Sequence, residues 1–212
     1  MELTWLGHYA FRLSQRGKAT VLTDPYDPQA VGLKPIKTRA EVVTISRNTP
    51  EQGFRKGLRG VKKVLDRPGE YEIGGVFIIG VQVRGPKGSD PLDDMRVVFA
   101  LDYEGLTVAH LGGLHKVPAQ VEMEALGPVH IALLPIAGDG LKPAQAAEVV
   151  SLLEPNLVVP MGYAPTGRGR RALERFLKEM GVEAPSPQES LKVSPSSLPS
   201  ETQVVVLQPR LG

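Results

Sequence analysis

Four histidines and no cysteine set the chemical repertoire of this 212-residue chain. Without thiols there are no disulfides, no Cys-ligated zinc, no iron–sulfur clusters and no cysteine nucleophiles. Any metal would have to be held by His, Asp or Glu. Glu51, His110 and His115 are the combination that could improvise such a site, although a catalytic zinc takes three protein ligands and a structural one four. The plainer reading of His110 is a histidine held at a strand end by packing and hydrogen bonds. His115 and His130 read as surface or interface residues. His8, after Gly7, pins a turn, and Asp24, before Pro25, caps one or pairs with Arg47. No Ser/His/Asp arrangement stands out in the sequence, and Gly57-Leu58-Arg59-Gly60 is too short for a phosphate loop. The run Arg168, Arg170, Arg171, Arg175 and Lys178 is the solvated face of an amphipathic helix or, on the sharper reading, a phosphate-contacting patch. Gly167-Arg168-Gly169-Arg170 could present backbone amides to an anion at the start of that helix.

The elements that must position these residues divide into two halves. Apolar residues make up 42% and charged residues 23%, the balance of a soluble globule that can build a core without staples. In the first half Leu3, Trp5, Phe11 and Leu13 alternate with polar or small residues around Gly7-His8, which predicts paired strands. Ala19–Thr23, Glu41–Ser46, Lys62–Asp66, Tyr71–Val83 and Met95–Ala109 follow as Val-, Ile- and Phe-rich strands, with turns at Gly74-Gly75 and Gly105. Pro86–Pro91 is expected at an exposed hairpin tip. In the second half strands His130–Ile136 and Leu157–Met161 alternate with helices: a short one over Pro118–Leu126, one over Pro143–Leu153 opened by Pro, and one carrying Leu173, Phe176, Leu177 and Met180 up to Gly181. A Ser/Pro-rich stretch, Ala184–Ser200, reads as a link to a last strand, Gln203–Gln208. One layered α/β domain spanning 1–212 is expected.

No apolar run approaches the roughly 20 residues needed to span a bilayer. The start lacks the basic and apolar segments of a signal peptide, so a reducing cytoplasm is the expected location. A formal charge of +2 admits nucleic acid without arguing for it. Nineteen prolines, no cysteine and more Arg than Lys lean towards a thermophile.

Thr4-Trp5-Leu6-Gly7-His8-Tyr9-Ala10-Phe11 and Leu22-Thr23-Asp24-Pro25-Tyr26 resemble the opening of the metallo-β-lactamase superfamily. The closer likeness is to the branch of zinc-dependent hydrolases that includes the ascorbate-phosphate lactonases. Pro68-Gly69-Glu70-Tyr71-Glu72-Ile73-Gly74-Gly75-Val76, Val108–Leu114, and Ile131–Gly138 with Leu157–Tyr163 agree in order and spacing. The resemblance covers nearly the whole chain. It implies a four-layered αββα sandwich with the active site at one edge between the two sheets.

The family's metal ligands do not carry over. Where such proteins read H-x-H-x-D-H, this chain has Arg47-Asn48-Thr49-Pro50-Glu51-Gln52, so that Arg47 and Thr49 replace the paired histidines, Glu51 the Asp, and Gln52 the last His. The motif His-Leu-Gly-Asp-Leu-Gly appears as His110-Leu111-Gly112-Gly113-Leu114-His115, with Gly113 for the bridging carboxylate. Pro-Met-His-Tyr appears as Pro160-Met161-Gly162-Tyr163. Only His110 keeps its ligand type, and a guanidinium at position 47 puts a fixed cation where a dication would sit.

These losses lead to the expectation of a catalytically degenerate, metal-free protein without a cofactor. Its former cleft, lined by His8, Asp24, Arg47, Thr49, Glu51, Gln52, His110, Gly113 and Gly162, would bind a small anion or a protein partner; Arg168, Arg170 and Arg171 form a separate anion-binding candidate, and a homo-oligomer is a further expectation. The competing reading is a metal-dependent hydrolase with a rearranged ligand set. A third is a nucleotide or nucleic-acid binder through the Arg168–Lys178 helix.

Overall fold

The computed structural model describes residues 1–85, 95–138, 140–164 and 167–210. The expected tip at 86–91 lies outside them. A six-stranded sheet collects β1 (Glu2–Gly7), β2 (Ala10–Ser14), β3 (Val21–Thr23), β4 (Val42–Thr44), β5 (Lys63–Leu65) and the late strand β12 (Leu191–Lys192), in the order β12-β1-β2-β3-β4-β5. A seven-stranded sheet collects β6 (Gly69–Ile73), β7 (Val76–Val83), β8 (Arg96–Asp102), β9 (Thr107–His110), β10 (Ile131–Pro135), β11 (Leu157–Met161) and β13 (Gln203–Val204), in the order β13-β11-β10-β9-β8-β7-β6. Both sheets mix parallel and antiparallel pairs. Two mixed sheets with helices packed against them make the layered α/β architecture that the resemblance implies.

The period-2 alternation of the strands builds two cores. Leu3, Trp5, Phe11, Val21 and Val42 enter the core shared with Val97, Phe99, Val108 and Leu133 of the other sheet. Their neighbours Leu6, Ala10, Leu22 and Val43 point the opposite way and pack with Tyr26, Ala40 and Ile45. A register shift between Trp5 and Gly7 interrupts the pairing of β1 with β2 just before the turn at His8.

The helices are unequally shared. α2 (Gln120–Glu124), α3 (Pro143–Leu153) and α4 (Gly167–Glu179) pack with β7, β10 and one another, and α3 buries Ala146, Val149 and Val150 as its spacing predicts. Among the described residues, the outer face of the six-stranded sheet carries the four-residue α1 (Pro28–Val31) and partly buried apolar residues such as Leu33, Ile36 and Leu58.

Two elements escape the sequence pattern. α1 is capped by the Asp27 side chain and stopped by left-handed Gly32, but buries no residue that would give it a period. β12 lies inside the Ser/Pro-rich stretch read as a link. Two residues suffice because Leu191 and Lys192 pair with Leu3 and Glu2 at the edge of an existing sheet.

Candidate functional site

β1, β3, β4 and β9 end at one edge of the sandwich, and each delivers a polar group there. β3 runs directly into Asp24, whose backbone holds a left-handed φ of 38° while its N–H bonds Thr44 O. β4 leads into Ser46. The Ser46 amide donates to Asp24 Oδ1 at 2.6 Å, and its carbonyl accepts from Val97 N at 2.9 Å, which ties the two sheets together. β9 ends on His110. Gly7 and His8, with φ of 100° and 52°, turn the chain so that Tyr9 O faces His110. Among the described non-glycine residues, four have positive φ, and two of these, His8 and Asp24, are here. Such backbone strain gathers where the surroundings over-determine a functional arrangement.

The side chains of Asp24, Ser46 and His110 are at most 1% exposed. His110 Nε2 lies 2.8 Å from Tyr9 O. A carbonyl can only accept, so Nε2 carries the proton and Nδ1 keeps its lone pair in the neutral ring. Burial lowers the His110 pKa to about 4, so the ring is neutral at pH 7. Nδ1 stands 3.3 Å from Ser46 Oγ and 3.9 Å from Asp24 Oδ2. Burial also dominates at Asp24, where it raises the pKa to about 7 against the hydrogen bonds from Ser46 and Gln52. A Ser/His/Asp grouping that the linear sequence did not disclose is therefore present. Its members are 22 and 64 residues apart, and only the convergence of strand ends reveals it.

Gln52 closes the cluster. Its amide nitrogen donates to Asp24 Oδ2 and to Gly112 O, both at 2.9 Å. An amide at this position follows the loop inward and bonds Asp24 without bringing a charge into the buried site. Arg47, Thr49 and Glu51 are half-buried on the loop leading to Gln52. The loop is shaped by Thr49 N–H to Arg47 O at 2.9 Å and Gly53 N–H to Thr49 O at 2.7 Å.

His8 sits on the other side of Tyr9, and its carbonyl accepts from Trp5 Nε1 and Gly162 N, both at 3.0 Å. Its Nε2 is buried without a hydrogen-bond partner among the described residues. Burial lowers its pKa to about 4, with the nearby Glu51 charge opposing. His8 also faces a cavity of about 120 Å³ with Trp5, Val31, Gly162 and Tyr163.

The glycines at former ligand positions have no room for side chains. A Cβ on Gly113 would stand 2.7 Å from Val97 O, and one on Gly162 2.8 Å from the Tyr9 ring at a φ of 75°. Gly112 is tighter still: its Cβ would collide with Asp24 Oδ2 and lie 2.7 Å from His110 Cε1.

Asp24 and His110 give two donors where a catalytic zinc takes three. Among the described residues, no group of three or more His, Cys, Asp or Glu side chains gathers where it could hold a metal ion. A hydrogen-bond donor, Gln52 Nε2, points at the carboxylate oxygen. The donors as arranged do not fit a catalytic zinc.

The remaining candidates lie elsewhere. His130 Nδ1 accepts from Thr107 N at 3.1 Å, and His115 is half-buried beyond the turn that follows His110. On α4, Arg170 pairs with Glu174 at 3.1 Å and Arg171 is exposed, while the side chain of Arg168 lies outside the described residues. No described helix is long and apolar enough to cross a membrane.

Comparison with known proteins supplies the family. Residues 2–162 match the model of a beta-lactamase superfamily domain. A UPF0173 metal-dependent hydrolase of Pyrococcus abyssi is 30% identical, over 87% of this chain and 94% of its own length. Another from Methanopyrus kandleri is 23% identical, over 86% and 94%. The crystal structure of a proposed Zn-dependent hydrolase of the metallo-β-lactamase superfamily from Thermotoga maritima superposes with a TM-score of 0.76 at 31% identity, covering 97% of both chains. These relatives overturn the expectation of a degenerate, non-enzymatic protein. Full-length kin carry the name of metal-dependent hydrolases, and replacement of a ligand motif does not by itself mean loss of function. The chain belongs to the β-lactamase superfamily and, within it, to the UPF0173 metal-dependent hydrolase family.

Proposed function

We propose that this chain is a hydrolase with a rearranged active site, centred on Asp24, Ser46 and His110. One observation carries the reading: Ser46 lies within reach of two buried titratable groups whose proton affinities are driven in opposite directions, Asp24 up to about 7 and His110 down to about 4. Titratable groups pushed apart by their surroundings are how a fold assigns an acid and a base at neutral pH.

In this reading His110 Nδ1, its tautomer fixed by Tyr9 O, accepts a proton from Ser46 Oγ or from a water in its place. Asp24, half-protonated near neutrality, supplies or holds a proton beside them. His8 Nε2, buried and without a hydrogen-bond partner among the described residues, offers a substrate hydroxyl or water a donor or an acceptor, according to its tautomer. Substrate reaches the cluster when the Gln52 side chain leaves Asp24 and Gly112. Family membership supports hydrolysis as the reaction class, and the likeness to ascorbate-phosphate lactonases puts lactones first among substrates.

The test is a hydrolysis screen of lactones, carboxylic esters and phosphodiesters, run with chelator and with added zinc or manganese. Turnover of one class by the purified chain, lost in His110→Gln, is the expected result. No turnover of any class under either condition, or turnover indifferent to His110→Gln, overturns the reading.

A further inference from the structure

A second polar region lies over the outer face of the six-stranded sheet, bounded by the segments 35–39 and 54–60. They enclose a pocket of about 740 Å³, within the range of ligand-binding clefts. Its floor is apolar: Tyr26, Ile36 and Leu58 belong to the outer core. Phe54, half-buried, adds an aromatic wall next to Pro25, to whose carbonyl it donates at 2.8 Å. The rim is cationic. Lys37, Arg39, Lys56 and Arg59 line it, and no described lining residue is acidic. The chain as a whole carries a formal charge of only +2, so four like charges around one opening are a local concentration.

The backbone enforces this. Arg39 and Arg59 face each other in an isolated parallel bridge, and Ala40 N–H bonds Arg59 O at 3.1 Å. Like charges directly opposite each other repel. The carboxylate that acts on Arg39, Glu41, is already bound by Lys62 at 2.8 Å. Gly57 and Gly60, with φ of 87° and 77°, fold the second segment back so that Lys56 and Arg59 meet the first. Paired guanidinium and ammonium groups over an apolar floor match a molecule with phosphate at one end and a flat apolar group at the other.

We propose that this pocket binds a phosphorylated small molecule of nucleotide size, its phosphates at Arg39 and Arg59 and its apolar part against Phe54. The site is separate from the Asp24–His110 cluster and stands whether or not that cluster hydrolyses anything.

Isothermal titration with ADP, pyrophosphate and adenosine tests it. ADP should bind, with affinity at least about tenfold weaker in Arg39→Gln/Arg59→Gln and several-fold weaker at high salt. Pyrophosphate should bind more weakly than ADP and adenosine not measurably. The double variant Lys37→Gln/Lys56→Gln, checked by its melting temperature, repeats the test on the other half of the rim. Arg171→Gln, on α4, should leave binding unchanged. The proposal is overturned if neither ADP nor pyrophosphate binds, if adenosine binds as well as ADP, if both double variants retain full affinity, or if only a long single-stranded oligonucleotide binds.

Discussion

The two polar regions of this protein handle charge in opposite ways. At the Asp24–His110 edge the central carboxyl and imidazole are buried, and burial moves both towards neutrality: the carboxyl is protonatable near pH 7 and the imidazole is neutral above about pH 4. At the 37–60 pocket the cations are exposed, alike in sign and held together by backbone pairing. Desolvating a charge costs more than a protein can leave uncompensated, so the first region closes on itself through Gln52 and hydrogen bonds. Solvent tolerates the second, which leaves its charge available to an outside partner. A site that works on protons and a site that holds an anion need these two solutions.

Glycine substitutions should separate the regions most strongly. Gly113→Asp would push a Cβ to 2.7 Å from Val97 O, a backbone atom that cannot swing aside. It should cost about 4 kcal/mol or more, seen in chemical denaturation as near-complete loss of the folded state. Gly60→Ala meets Arg39 Cγ and Nε at 2.9 Å, side-chain atoms that can shift where a backbone atom cannot, so its cost should stay near the left-handed-φ penalty of about 1–2 kcal/mol. Equal effects would mean that the first region is as yielding as the second.

Gln52→Ala should rank next. It removes two hydrogen bonds and leaves Asp24 Oδ2 and Gly112 O facing an apolar methyl. Unsatisfied buried acceptors cost roughly 1–3 kcal/mol each, so an urea midpoint within error of wild type would contradict the role given to Gln52. Arg39→Gln, on an exposed side chain, should change stability by no more than about 0.5 kcal/mol.

Acid sharpens the comparison further. Burial holds the pKa values of His8 and His110 near 4 in the folded protein, below the ordinary histidine value of 6.5. Each therefore contributes stability that is present above pH 6.5 and lost as pH falls towards 4. Asp24 is raised from 3.8 to about 7, so its contribution is fully present below about pH 4 and lost as pH rises through 7. Between pH 4 and 6.5 the unfolded chain thus binds about one more proton at these three groups, and stability should rise by roughly 1.4 kcal/mol per pH unit. His8→Gln should flatten that slope, and an unchanged slope in denaturation measured from pH 4.5 to 6.5 would remove His8 from the account.

Much of this architecture was legible because burial imposes periodicity. β11 and α3 fall where alternation and the Pro-initiated helix pattern put them, and His110 was picked out as a strand-end histidine. Elements without a buried face left no trace: α1 buries nothing, and β12 borrows its order from β1. The site was half legible. Asp24, Gln52 and His110 were on the list of cleft residues, but Ser46, Tyr9 and Gly112 were not. Ser46 acts through a strand-end backbone position, Tyr9 through its carbonyl, and Gly112 through having no side chain. None of these carries a residue-type signal. Asp24 takes hydrogen bonds from Ser46 and Gln52, partners that a sequence does not display because it shows charge complementarity and not the desolvation that favours an amide.

The most direct test of the central claim is the hydrolytic turnover of Ser46→Ala. This variant keeps the backbone N–H that holds Asp24 and removes only the hydroxyl between Asp24 and His110. With the wild-type far-UV circular dichroism retained, kcat on the substrate found by screening should fall by about 100-fold or more, while Arg39→Gln/Arg59→Gln keeps the wild-type kcat. Turnover of Ser46→Ala within about twofold of wild type, far below the usual effect of losing a proton-transfer group, would show that the chemistry is done elsewhere.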